Sequence, residues 1–235
     1  MSFESVIQSH FQSALEEAQF VKKTHCWLSE LGFSAENTIA LVACCRDELT
    51  SSLVARVEDT WGEAFSLASL AGFIFAGVTG LQAAFSHAPT LEGRNRYVVF
   101  AMPHIGLNAD GVIGKCRRPG QAHDSSACGA LVGALGQLGK PAPADPDNIE
   151  MGLIYQRLTE SAPQDLVGLT KLTHELILTD LERLIGKTIN SAETDYAILT
   201  GIQIHTDVGQ PHLVWPQTMR AVVNGQQVEG SIGAG

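Results

Sequence analysis

The sequence predicts a single-domain α/β fold built on a mostly parallel sheet flanked by helices. Two runs, Thr38–Cys45 and Arg96–Met102, are apolar at nearly every position, as strands covered on both faces are, and unlike the alternation of a half-exposed antiparallel strand. Segments with apolar positions at helical spacing lie between the strand candidates, the alternation that builds a parallel sheet. The 235 residues suit one large core better than two small ones, so residues 1–235 are taken as one domain.

Ser2 can cap an amphipathic helical segment over about residues 2–31, with Phe3, Val6, Ile7, Phe11, Leu15, Phe20 and Val21 at roughly helical spacing and Gly32 as its stop. A polar turn, Ser34–Asn37, leads into the strand that ends at Cys45, and Arg46–Val57 resumes a helical pattern. Ala64–Ser86 carries no charged residue and is long enough to span a bilayer, but its glycines, serines and Gln82 keep its hydropathy low, and it is predicted as buried helix and turn. Pro103 stops the second strand just before His104-Ile-Gly106, and a loop rich in Gly, Pro and Asp follows over Asn108–Ala127. A small-residue helix starts at Cys128, a rigid turn spans Pro141–Pro146, and helices are predicted over about Asn148–Glu160 and Gln164–Ile185. Late strands are expected at Tyr196–His205 and His212–Trp215, joined by a hairpin-like turn at Val208–Pro211. The tail from about 229 to 235 lacks apolar content and is expected to be loose.

A formal net charge of −10 argues against a nucleic-acid partner, and the one tight basic cluster, Lys115-Cys-Arg-Arg118, suits a small anion better than DNA. Five cysteines without a short-spaced framework point to a reducing compartment rather than a disulfide scaffold. The N-terminus has neither a signal nor a transit pattern, so a cytoplasmic location without membrane association is expected.

In open α/β sheets, ligand chemistry gathers beyond the carboxyl ends of the strands. Cys45 ends one strand, His104 follows another, and Cys128 stands where a loop enters a helix. Two thiolates and an imidazole suit Zn²⁺ and leave a fourth position for water, as in a catalytic site. The spacings are wide, 59 residues from 45 to 104 and 24 from 104 to 128, and each residue has a plainer reading as buried filler, loop histidine or small helix-start residue. Cys44 reads as core filler, turned to the opposite strand face from Cys45. A redox role for Cys44-Cys45 is weaker, because adjacent cysteines close only a strained ring.

Several separated motifs resemble one family in order: Cys45-Arg-Asp-Glu48, Pro103-His-Ile-Gly106, Arg118-Pro-Gly120 with Ser126-Ala-Cys-Gly-Ala-Leu131, and Tyr196–His205. Over about Gly32–Trp215 the chain resembles the limiting-CO2-inducible protein B/C family, which is similar to β-class carbonic anhydrases and is treated as the theta class. The resemblance implies a β-carbonic-anhydrase-like fold, Cys45, His104 and Cys128 as ligands of Zn²⁺, a homodimer, and reversible hydration of CO2 to bicarbonate. Cys45-Arg-Asp47 looks like the start of the β-class C-x-D-x-R motif, but Leu49 stands at the arginine position. Asp47 then needs another cation, with Arg46 and Arg118 both open, and Asp47 and Arg46 are the candidate catalytic residues.

Zinc lowers the pKa of bound water to about 7, and Asp47 can accept the resulting hydroxide's hydrogen bond; an acid in a first helical turn is also an ordinary cap. His87, His123 and His205 are proton-transfer candidates by residue type. The second functional reading is a catalytically silent or gated zinc-fold protein acting as an oligomeric partner in CO2 and bicarbonate handling, favoured by Leu49.

Overall fold

The computed structural model describes residues 1–91, 93–140, 145–158, 163 and 165–232. In chain order the helices and strands are α1 (Phe3–His10), β1 (Leu15–Glu16), α2 (Glu17–Glu30), β2 (Ile39–Ala43), α3 (Ser51–Trp61), β3 (Phe65–Ser66), α4 (Gly77–Phe85), β4 (Thr90–Leu91), β5 (Arg94–Ala101), β6 (His104–Gly106), β7 (Lys115–Cys116), β8 (Ser125–Ser126), α5 (Gly129–Gln137), α6 (Ile149–Leu158), α7 (Leu166–Thr188), β9 (Thr194–His205), β10 (Leu213–Val223) and β11 (Gln226–Glu229).

The main sheet runs β1-β10-β9-β5-β2-β3. Its centre is parallel, with Val42 beside Phe100 and Phe100 beside Leu199, and β10 joins β9 antiparallel. The continuous apolar runs of β2, β5 and β9 follow from burial on both faces. Leu41, Val99 and Ile198 belong to a core shared with Leu81, Leu131 and Leu181 of α4, α5 and α7. Val42, Phe100 and Leu199 belong to the other core, with Phe20 and Leu28 of α2 and Leu53 and Trp61 of α3. Pro103 ends β5 where its ladder would continue, and the chain re-enters the sheet as β6, pairing parallel with β9 so that His104 stands opposite Gln203.

The predicted opening segment is two helices rather than one. Ser2 does cap the first, accepting from the Ser5 N–H at 3.3 Å. Phe11 then leaves the helical path to stack edge-on against Trp215 at 5.7 Å, and the Trp215 Nε1–H donates to the Gln12 carbonyl at 2.7 Å. Ser13 turns the chain at φ 71°, and Leu15–Glu16 pair with β10 before α2 begins. Tertiary burial of Phe11 overrides a periodicity that two helices satisfy as well as one. Ala64–Ser86 folds as β3, a 3₁₀ turn at Leu70–Gly72, and α4. Among the described residues, no helix is long and apolar enough to cross a membrane.

The C-terminal region is more ordered than expected. β10 runs to Val223, well past Trp215, with Pro216 tolerated at a register shift between Pro216 and Thr218. Asn224 and Gly225, at φ 51° and 76°, make a tight hairpin into β11. The Gly230 N–H donates to the Met219 carbonyl at 2.7 Å, and Gly230 lies so close to Trp27 that a Cβ would meet the indole at 2.7 Å. Glu229–Ile232 are therefore docked, because ladder hydrogen bonds and Trp27 supply what the tail's own composition lacks. Residues 233–235, 141–144 of the proline turn, and 159–160 and 164 at the predicted helix ends lie outside the described residues.

Candidate metal centre

Three breaks in regular structure bring the ligand candidates together. Beyond β2 the backbone at Cys45 makes a single parallel bridge to Ser69; His104 opens β6 after the proline; Cys128 is the N-cap of α5. The Cys45 and Cys128 sulfurs lie 3.8 Å apart, and the ligand atoms of Cys45, His104 and Cys128 all fall within 4.8 Å of one another. All three residues are buried, at 5%, 0% and 1% exposure.

Two thiolates at the usual zinc–sulfur distance of about 2.3 Å in tetrahedral geometry stand about 3.8 Å apart, which is the separation found here. Among the described residues neither ring nitrogen of His104 has a hydrogen-bond partner. Leaving a buried imidazole unbonded is unfavourable by about 1–3 kcal/mol, and coordination would relieve it. The donor set fits a zinc ion. Without one, the two thiols form a coupled pair: the hydrogen bond with Cys128 and the nearby His104 drive the Cys45 pKa down against its burial, while Cys128 is pushed up.

Asp47 sits at the rim. Its Oδ1 accepts from the Leu49 N–H at 3.2 Å, capping the short 3₁₀ turn Glu48–Thr50, and its Oδ2 accepts from Arg118 Nη2 at 2.6 Å. Burial works to raise the Asp47 pKa, but the Arg118 guanidinium and the Leu49 N–H outweigh it, leaving the carboxyl below its ordinary value. Arg118 also donates from Nε to Glu48 Oε1 at 2.6 Å, from Nη1 to the Ser126 carbonyl at 3.1 Å, and to Ser125 Oγ. It follows β7 in the β7–β8 hairpin, which lies over Leu49: Leu49 is buried with Cys116 and Ala127. The residue at the motif's arginine position is thus part of a small core, and the cation beside Asp47 comes from the loop above it.

Of the two arginines left open by the sequence, Arg118 is the partner of Asp47. Arg46 turns outward to pair with Glu150 at the start of α6, whose Oε2 also accepts from the Leu70 N–H at 2.8 Å. Among the three histidines considered for proton transfer, His205 adjoins the ligands, its ring 4.9 Å from His104 and 4.8 Å from His212. It is wholly buried, and burial pushes its pKa well below the ordinary value. His87 meets Phe65 edge-on at 5.5 Å, and His123 is exposed in the loop.

Cys44 lies on the opposite strand face from Cys45, in the other core, and burial pushes its thiol up to about 12. It forms no disulfide and accepts from Gln203 Nε2 at 3.2 Å. Gln203 and His205 escaped the sequence reading as neighbours of His104. Their signal is visible afterwards: two polar side chains at alternate positions near the C-terminal end of a buried strand. A cavity of about 480 Å³ reaches Cys45 and Asp47, with Val42, Val54, Ala64 and Ala68 among its apolar lining.

The mostly parallel α/β sheet thus gathers at its strand ends two thiols and an imidazole that could hold a metal ion. The chain belongs to the family of limiting CO2-inducible proteins B/C beta carbonic anhydrases, which matches it over residues 14–223. It is similar to the crystal structure of limiting CO2-inducible protein LCIB, with 33% identity over 95% of this chain and 96% of that one and a TM-score of 0.78. It also resembles PtLCIB4, a homolog of LCIB, at 23% identity, 97% and 100% coverage and a TM-score of 0.84. A point variant of PtLCIB4 matches at 23% identity, 98% and 99% coverage and a TM-score of 0.87; at that identity the likeness shows the fold. No curated protein matches the chain.

Proposed function

We propose that the protein is a zinc-dependent carbonic anhydrase that interconverts CO2 and bicarbonate at Cys45, His104 and Cys128, and that it works as a homodimer. The observation that carries the reading is the Asp47–Arg118 pair beside a zinc-shaped donor set. Family membership supports it.

A bound zinc supplies a Lewis acid that makes water acidic near neutral pH. The chain's own residues do the rest. Arg118 keeps Asp47 ionised, so that at neutral pH the carboxylate accepts a hydrogen bond and does not take up the proton. The same contact tethers Oδ2, while the Leu49 N–H holds Oδ1, and a carboxylate fixed at both oxygens is kept from swinging onto the metal. The apolar side of the cavity accepts an uncharged, nonpolar molecule such as CO2 without desolvation loss, and bicarbonate, a charged product, is disfavoured there. Leu49 was the sequence argument for a silent protein, and Arg118 supplies the cation that position 49 lacks.

Stopped-flow CO2 hydration on metal-analysed protein, beside Cys45→Ser and Asp47→Ala, tests this. Zinc near one per chain, hydration in the parent and its loss in both variants is the expected result. Full zinc with no hydration in the parent would establish the silent protein instead, and absence of zinc would remove the ligand assignment. Light scattering on the same sample reads the dimer.

A further inference from the structure

A ligating histidine presents one ring nitrogen to its metal and needs an acceptor for the N–H on the other; without one, the ring is free to tilt and the buried N–H stays unpaired. Neither ring nitrogen of His104 has a partner among the described residues. The residue directly in register with His104 across the β6–β9 ladder is Gln203. Gln203 is wholly buried, and its Oε1, a pure acceptor, is likewise without a partner. Its amide is held from the far side by the Nε2 contact to Cys44 Sγ at 3.2 Å, and its backbone N–H is tied to the Pro103 carbonyl, next to His104, at 3.0 Å.

We propose that Gln203, anchored by Cys44, is a positioning residue for the metal ligand His104, its Oε1 accepting the N–H that coordination leaves over and so fixing which ring nitrogen faces the metal. The proposal rests on the reading of Cys45, His104 and Cys128 as metal ligands. It gives the two adjacent thiols separate tasks on opposite strand faces: Cys45 in the donor set, Cys44 one contact further out, holding the residue that holds the histidine. His205 is the other neighbour of His104, but its ring meets the imidazole edge to face at 68°, a packing contact and not a hydrogen bond.

Zinc affinity by chelator competition, with the visible spectrum of the cobalt-substituted protein, tests this on the parent, Gln203→Leu, Gln203→Glu, Cys44→Ala and His205→Phe. Removing an outer acceptor of this kind weakens metal binding about 10- to 100-fold. Gln203→Leu should show that loss with shifted cobalt bands, Gln203→Glu should restore affinity, and Cys44→Ala should show a smaller loss in the same direction. If Gln203→Leu does not fold, Cys44→Ala carries the test, and parental affinity and spectrum in it overturn the proposal. Parental affinity and spectrum in Gln203→Leu, or a loss confined to His205→Phe, also overturn it while leaving the ligand assignment standing. A parent that takes up no zinc overturns the ligand assignment and this proposal with it.

Discussion

Arg118 reaches Asp47 across 71 residues of chain, Nη2 to Oδ2 at 2.6 Å, with both side chains only 12% exposed. The cation beside Asp47 is thus supplied through the tertiary fold and not by its neighbour in sequence. Arg46, one residue from Asp47 in sequence, is 57% exposed and pairs with Glu150.

These two arginines should therefore separate cleanly. Arg118→Ala unpairs a mostly buried carboxylate and frees it, and CO2 hydration should fall about 10²-fold or more at unchanged zinc content. Arg46→Ala breaks an exposed ion pair worth about 0–1 kcal/mol and should leave hydration within a few-fold of the parent. Stopped-flow rates on metal-analysed variants check both; equal losses would contradict this division of roles.

Glu17 and His174 should make opposing contributions to the pH dependence of stability. Burial raises Glu17 to about 7, against help from Ser52 and Arg56. Its stabilisation is full below about pH 4.5 and is lost as pH rises through about 7. Burial lowers His174, bonded to Thr200, to about 4. Its stabilisation is present above about pH 6.5 and is lost as pH falls toward 4. The two slopes offset between about pH 4.5 and 6.5. Glu17→Gln should gain stability at pH 8, of the order of 3 kcal/mol at most, and should lose it steeply on acidification through the His174 window. Melting curves from pH 4 to 8.5 on parent and variant check this, and parallel curves would refute it.

Thiol counting gives a test of the ligand set that needs no turnover. Cys26 is exposed, while burial pushes Cys44 up to about 12 and Cys116 up to about 11 and keeps both protonated. With zinc bound, an aromatic disulfide reagent should label one thiol quickly. After chelation the count should rise to two as Cys45, whose pKa is driven down, is released, while Cys128, buried and pushed up, reacts slowly. An unchanged count on metal removal would place the metal elsewhere.

Gly72 couples backbone strain to the site. At φ +80° its missing Cβ would stand 2.6 Å from the carbonyl oxygen of Met102, two residues before His104. Gly72→Ala should be destabilising by about 2–3 kcal/mol and lower Tm by about 5–10 °C. Zinc affinity should fall with it, because the clash pushes on the turn that carries the histidine. A stable variant with reduced zinc affinity would show the positional effect alone.

The parts of the fold governed by local pattern were legible in the sequence. Thr38–Cys45 and Arg96–Met102 announced themselves by uninterrupted apolar runs, and Pro103 marked where one strand had to break. What escaped depended on partners remote in sequence. Phe11 looks helical until Trp215 is beside it. The tail from Glu229 looks loose until Met219 and Trp27 hold it. At the site, Cys45, His104 and Cys128 could be proposed from residue type and strand ends, but the choice of Arg118 over Arg46 is set by how the β7–β8 hairpin folds over Leu49. No local spacing records that. Gln203 was hidden because a polar residue in a buried strand is ordinarily read as an interruption of the core.

The pairing of β6 with β9 fixes an order of events during synthesis. Cys45, His104 and Cys128 have all been made by residue 128, but the strand opposite His104 is complete only at residue 205, and its register partner Gln203 follows Cys128 by 75 positions (203 less 128). At roughly 5–20 residues per second the growing chain spends about 4–15 s with its thiols made and its histidine unsupported. An ion captured in that interval would meet two sulfurs on flexible chain, a donor set that favours soft metals such as copper(I) over zinc. On the proposed metal reading, a site able to discriminate among metals exists only once the C-terminal strands have joined the sheet.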